Sequence, residues 1–224
     1  MDQVFTFPKD SRVYKYVSER IKKQAPSEME LSETEGNLIL KSKNTDLSAD
    51  LISDVILLFF KAKEIASVIL QKDFDGGIYA CLLGAVTGVE YEKEKEYLSN
   101  VVSGLSVGSA KGVYDFLLGD VRENWHDLVK LCKKLYDQCV SQEDVLALCV
   151  FLIGMSDEIG NKITLSKEGC IFSGKKEKFL VPVFSDYEKD LLFTLSLLHP
   201  EDIVLERTDD LSQNLLRTIR ALGC

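Results

Sequence analysis

Between positions 46 and 157 the chain holds no proline, and apolar residues return there at helical spacing with glycine supplying most of the breaks. This stretch constrains the fold more than any other. It opens at 51 to 60 with Leu-Ile-Ser-Asp-Val-Ile-Leu-Leu-Phe-Phe, a run so apolar that it has to be buried. Asn44, Thr45, Asp46 and Ser48 offer capping groups, and the periodicity predicts a first helix from there to about residue 72, where Asp73-Phe74-Asp75-Gly76-Gly77 breaks it. Shorter helices are predicted at roughly 78 to 86, 90 to 104, 109 to 118, 121 to 139 and 142 to 153, each bounded by glycine or a polar cap. The charge run Glu90-Tyr91-Glu92-Lys93-Glu94-Lys95-Glu96 reads as a solvated helix face.

The two ends are mixed. Residues 3 to 7 read as a strand that Pro8 ends. Asp10 or Ser11 then offers an N-cap to a helix carrying Val13, Tyr14, Val17 and Ile21 on one face and stopped by Pro26. Residues 29 to 31 and 38 to 40 form a hairpin pattern around Glu35-Gly36-Asn37. After Gly160 the period becomes two, with strands expected at 162 to 165, 170 to 172 and 178 to 183 and turns at 167 to 169 and 173 to 175. Asp186 caps a helix that ends at His199-Pro200; a strand at 202 to 206 and a final amphipathic helix at 209 to 222 complete the chain.

The expected fold is α+β and predominantly helical. A central helical bundle over 46 to 158 is flanked by a β-α-β-β segment at 1 to 45 and a β-hairpin/α/β/α segment at 159 to 224. Neither flank would bury much surface alone. Their strands are therefore expected to share one sheet with the helical block inserted between them, two separate small domains being the alternative. Gly84, Gly119 and Gly154, each after an apolar stretch, are evenly spaced at about 35 residues, the period of stacked helix hairpins. The residues between them agree poorly, which favours a compact bundle over a true repeat.

Composition narrows function by exclusion. A net charge of −9 argues against a broad nucleic-acid or anionic-membrane surface, because both need clustered Lys and Arg. The apolar runs are too short to span a bilayer, and the start, MDQVFTFPKDSR, lacks the basic and apolar regions of a signal peptide, so a cytoplasmic location is expected. The six cysteines form no CxxC pair and read as reduced structural residues. Cys132 and Cys139 share a helix face but lack further ligands.

No side-chain constellation points to catalysis, a metal or a cofactor. His126 reads as an exposed helix residue and His199 as a helix-end residue whose charge meets the negative pole of the dipole. The acidic pairs Asp73 with Asp75, Asp157 with Glu158, and Asp209 with Asp210 are explained by turns and N-caps. The basic tip Lys175-Lys176-Glu177-Lys178 reads as a solubilising turn. The stretch 103 to 112 is the best phosphate-binding candidate, since Ser109, Lys111 and Gly112 lead into a helix, yet the ordered GxxxxGK[ST] spacing is absent and an interhelical loop is expected instead. The surplus of apolar helix points to a non-enzymatic adaptor, regulator or assembly subunit, with Leu211, Leu215, Leu216 and Ile219 of the last helix as the candidate contact for a protein partner or a second copy. The alternative is a small-ligand or nucleotide sensor or enzyme using the Gly104 to Gly112 loop.

Overall fold

A computed structural model describes residues 3–155, 161–166, 170–174, 176–206 and 211–222. The chain is α+β and mostly helical, and it divides into two compact units: Met1–Lys63 with Glu90–Asp127, and Glu64–Val89 with Leu128–Cys224. The helical block expected between 46 and 158 is thus shared between both units. Among the described residues, no helix is long and apolar enough to cross a membrane.

The first unit contains β1 (Gln3–Pro8), α1 (Ser11–Gln24), β2 (Met29–Glu33), β3 (Asn37–Ser42), α2 (Thr45–Val55) and a π-helical segment (Ile56–Lys61) that continues into α3 (Ala62–Val68), whose residues from Glu64 on belong to the second unit. After α4 (Gly76–Gly88) in the second unit, the chain returns through α5 (Tyr91–Ser103), β4 (Val107–Ser109), α6 (Ala110–Phe116) and the start of α7 (Gly119–Gln138). The caps reflect local chemistry: Asp10 accepts from the Arg12 N–H, Asn44 from Leu47 and Ser109 from Gly112. On α1, Tyr16 turns inward and Tyr14 is exposed.

The sheet of this unit has the order β2-β3-β1-β4, with β1 antiparallel to β3 and parallel to β4. Phe5 faces Leu40 and Phe7 faces Leu38, and all four are buried. β4 corrects two expectations. The stretch before α6 is a strand and not a loop, and an extended segment does occur inside the helical block. Its periodicity is illegible because three residues of Val-Gly-Ser cannot show a period-two pattern; the parallel pairing with Val4 to Thr6 makes the strand.

The second unit holds α4, the rest of α7, α8 (Gln142–Gly154), β5 (Asn161–Leu165), β6 (Ile171–Ser173), β7 (Lys176–Lys178), α9 (Tyr187–Leu197), β8 (Pro200–Leu205) and α10 (Gln213–Leu222). Its sheet, β7-β6-β5-β8, is separate from the first, so the two ends do not share one. The apolar pattern at 179 to 183 is not a strand, because the side chains of α9 take its backbone: Val181 N–H donates to Thr194 Oγ1 at 3.0 Å and Phe184 N–H to Asp190 Oδ1 at 2.7 Å. Asp186 caps α9 through Lys189 N–H.

α4 and α9 are buried nearly all round, as helices without a polar face must be. Gly84 lies in the middle of α4, where a Cβ would fall onto the carbonyl oxygen of Phe193. Gly119 instead begins α7, and Gly154 ends α8. The three evenly spaced glycines therefore do three different jobs.

Candidate functional site

The densest polar site lies inside the first unit, where α1, α2 and α5 meet. Asp54 is 2% exposed, and its carboxylate accepts from four side chains. Tyr16 donates to Oδ2 at 3.1 Å, and Arg20 Nη1 donates to the same oxygen. Tyr91 donates to Oδ1 at 2.6 Å, and Lys95 Nζ lies 2.8 Å from that atom. Asp50, one turn earlier, takes Arg20 Nη2 and Lys95 Nζ at 2.7 Å each. Two carboxylates face two cations, so the group is neutral as a whole.

Burial works to raise the Asp54 carboxyl, but Lys95 and Arg20 overcome it and hold the group below its ordinary value of 3.8. Burial likewise works to lower Lys95, and Asp54 and Asp50 reverse it. Tyr16 and Tyr91 are driven well above their ordinary value by burial. With its lone pairs taken by four donors, Asp54 has no capacity left to act as a base. Chemically the network fixes the register of three helices.

A second buried pair forms at the last residue of the π-helical segment. In a straight α-helix, Asp50, Asp54 and Lys61 would share one face, since they stand at i, i+4 and i+11. The wider π turn absorbs about one residue and rotates the next turn of helix by roughly 100°. Lys61, 0% exposed, meets Glu94 at 2.6 Å while Trp125 Nε1–H donates to the other oxygen of that carboxylate at 2.6 Å. The ammonium also lies 5.4 Å from the centre of the Trp125 ring. Burial pushes Lys61 down and Glu94 up against their mutual attraction.

These contacts correct the reading of 90 to 96 as a solvated face. Tyr91, Glu94 and Lys95, spaced i, i+3 and i+4, form the inward stripe of α5 and continue into the buried Leu98 and Val102. An open cleft of about 370 Å³ lies over this stripe, lined by Asp50, Glu92, Lys93, Lys95, Glu96 and Ser99.

The other sequence candidates fall elsewhere. In the Gly104 to Gly112 stretch, Ser109 Oγ accepts from Gly112 N–H at 2.9 Å and Lys111 pairs with Asp115, so both polar groups are engaged locally. Gly112 N–H thus serves the cap of α6, and the three candidates form no cradle. Leu215, Leu216 and Ile219 are buried inside the second unit, where α10 packs on α4, α8, α9 and β8; Leu211 is half-buried. Their apolar face is spent on the fold, which removes it as a free contact.

His126 is exposed, and His199 sits at the end of α9 with φ of 46°, its Nε2 3.0 Å from the Ala85 carbonyl near the end of α4. Asp75 caps α4 through Gly77 N–H. Among the described residues no His, Cys, Asp and Glu group is arranged to hold a metal ion, and Asp157, Glu158, Lys175, Asp209 and Asp210 lie outside those residues.

One surface escapes a reading of the sequence. α8, opened by a capping box of Ser141 and Asp144, is apolar on both sides. Val145, Leu148, Cys149, Leu152 and Ile153 face the core, while Ala147, Val150, Phe151 and Met155 are exposed along the opposite side, Phe151 to 56%. The signal for it is an apolar helix without a polar stripe, Val-Leu-Ala-Leu-Cys-Val-Phe-Leu-Ile at 145 to 153. Compared with protein families, with curated proteins and with solved structures, the chain finds no match.

Proposed function

We propose that the chain is a non-enzymatic protein-interaction subunit, an adaptor, regulator or assembly component, whose contact surface is the outward stripe of α8. The observation that supports this is the exposure of Ala147, Val150, Phe151 and Met155 at i, i+3, i+4 and i+8 on a helix whose other side is core. A contiguous apolar strip of that kind favours a binding partner over water. The buried free thiols Cys81, Cys132 and Cys149 fit a reducing, cytoplasmic setting. The ligand-sensing alternative has less behind it, since Ser109 and Lys111 are already engaged within their own helix.

The test compares the full chain with a Val150→Asp/Phe151→Asp variant as baits at equal loading. The wild type is expected to retain a protein at fixed stoichiometry, and the variant to lose it without a change in melting temperature. A partner held equally by both chains overturns the assignment to α8. Specific stabilisation of the wild type by a nucleotide or divalent metal in a thermal-shift screen overturns the non-enzymatic reading.

A further inference from the structure

The sheet of the second unit ends in two unlike edges. β7 is three residues long and wholly charged, Lys176-Glu177-Lys178, a guard against pairing with another strand. β8 runs over six residues, and its second half is Ile203-Val204-Leu205. Its ladder to β5 sets Ile203 beside Ile163 and Leu205 beside Leu165, and Glu206 N–H donates to the Leu165 carbonyl at 3.0 Å. By the alternation of a parallel ladder, the N–H and C=O of Val204 then point to β5, and those of Ile203 and Leu205 point away from it. Among the described residues no backbone hydrogen bond reaches those outward groups.

The side chains tell the same story. Residues in register share a face, so Ile203 and Leu205 extend the layer formed by Ile163 and Leu165. Ile163 and Leu165 are 0% and 2% exposed, whereas Ile203 and Leu205 are only half-buried. The core layer reaches the rim of the sheet, and its cover stops short of it. Neither edge of the first sheet has this character: β2 exposes Glu30, Ser32 and Glu33, and β4 has three residues.

We propose that two copies of the chain associate by antiparallel pairing of β8 with β8, in the register that sets Ile203 opposite Ile203. Charge selects the register. Centring the two-fold on Ile203 places Asp202 of each copy opposite Val204 of the other, so the acidic half of the strand meets its apolar half. Centring it on Val204 would set Asp202 against Glu206 twice, and like charges directly opposite are destabilising. The strand is therefore its own complement, and the pairing turns two four-stranded sheets into one continuous sheet without an open edge at β8. This surface is independent of the α8 stripe.

Sedimentation velocity on the full chain over a concentration series tests the proposal. The wild type is expected to pass from monomer to dimer. Ile203→Pro, which deletes an N–H pointing away from β5 and so spares the ladder, is expected to weaken self-association at least about tenfold with an unchanged circular dichroism spectrum. Under mild oxidation Ile203→Cys is expected to yield a disulfide-linked dimer, because a hydrogen-bonded antiparallel pair holds its Cα atoms about 5.5 Å apart, and Val204→Cys is not.

A wild type that stays monomeric throughout, or a dimer that survives in folded Ile203→Pro, overturns the proposal. Should Ile203→Pro fail to fold, the two cysteine variants decide: linkage through position 203 supports the pairing, and linkage through 204 or neither position overturns it. Phe151→Asp is expected to leave the dimer intact; its loss there would assign self-association to α8 and overturn the edge pairing.

Discussion

The two units hold their helices together by different physics. In the first, α1, α2 and α5 meet through charge: Asp54 and Asp50 face Arg20 and Lys95, and Lys61 faces Glu94 under Trp125. In the second, α4 crosses α9 at backbone distance because Gly84 has no side chain, and Gly88 leaves room for His199 and the Leu197 carbonyl. Even its polar groups are silenced by packing, as where burial pushes the Cys81 thiol up to about 12. Ion pairs gain direction but carry a desolvation cost, so each fixes a register only while all members are present. Steric packing has no such partner dependence, yet it tolerates no added atom. The chain thus has one interior sensitive to charge and pH and one sensitive to volume.

Breaking the charged interior is expected to have the largest effect. Asp54→Asn leaves Asp50 as the single carboxylate facing both Arg20 and Lys95 in a buried site and should cost about 3–5 kcal/mol in chemical denaturation. The pH dependence comes from the same carboxyl. Its folded value is depressed, so its contribution is complete above its ordinary 3.8 and is lost as pH falls through the lower folded value. Acid titration of the wild type should therefore show a larger loss of stability below pH 3.8 than Asp54→Asn does. The matching test of the second interior is Gly84→Ala, expected to cost about 3 kcal/mol with no pH dependence, because the new methyl meets the fixed Phe193 backbone.

Replacing both members of a buried pair sharpens the contrast. Lys61→Met with Glu94→Gln, which removes both charges and keeps an acceptor for the Trp125 N–H, should cost less than Lys61→Met alone; a double-mutant cycle reads the difference. The smallest effect is expected at the surface, where Phe151→Asp should change stability by less than about 0.5 kcal/mol by thermal melting.

Much of the architecture is readable from local pattern. The caps Asp10, Asn44, Asp75 and Asp186, the helices after them, and the hairpin of β2 and β3 arise from short-range chemistry that needs no partner. What escapes is long-range. Periodicity scores a charge as outward, so Glu94 and Lys95 read as solvent-facing although their partners Asp50, Asp54 and Lys61 lie more than thirty residues earlier. β4 is too short to show a pattern, and its pairing with β1 spans about a hundred residues. The amphipathic stripe of α10 resembles a docking face because amphipathicity marks a helix that covers something without saying what. Leu215, Leu216 and Ile219 cover their own unit, while α8, with no amphipathic signal, leaves Phe151 open.

The parallel pairing of β1 with β4 bears on how the protein is made. Gln3, at the head of β1, donates through Nε2 to the carbonyls of Val102 at 2.9 Å and Leu105 at 2.6 Å, so the first strand is seated by residues that leave the ribosome long after it. At ordinary synthesis rates the nascent N-terminal sheet waits roughly 5–20 s for its last strand. Throughout that interval Val4 to Thr6 present a bare hydrogen-bonding rim, and a chaperone that caps nascent strands would find its target there while the later elements of the unit are still being made.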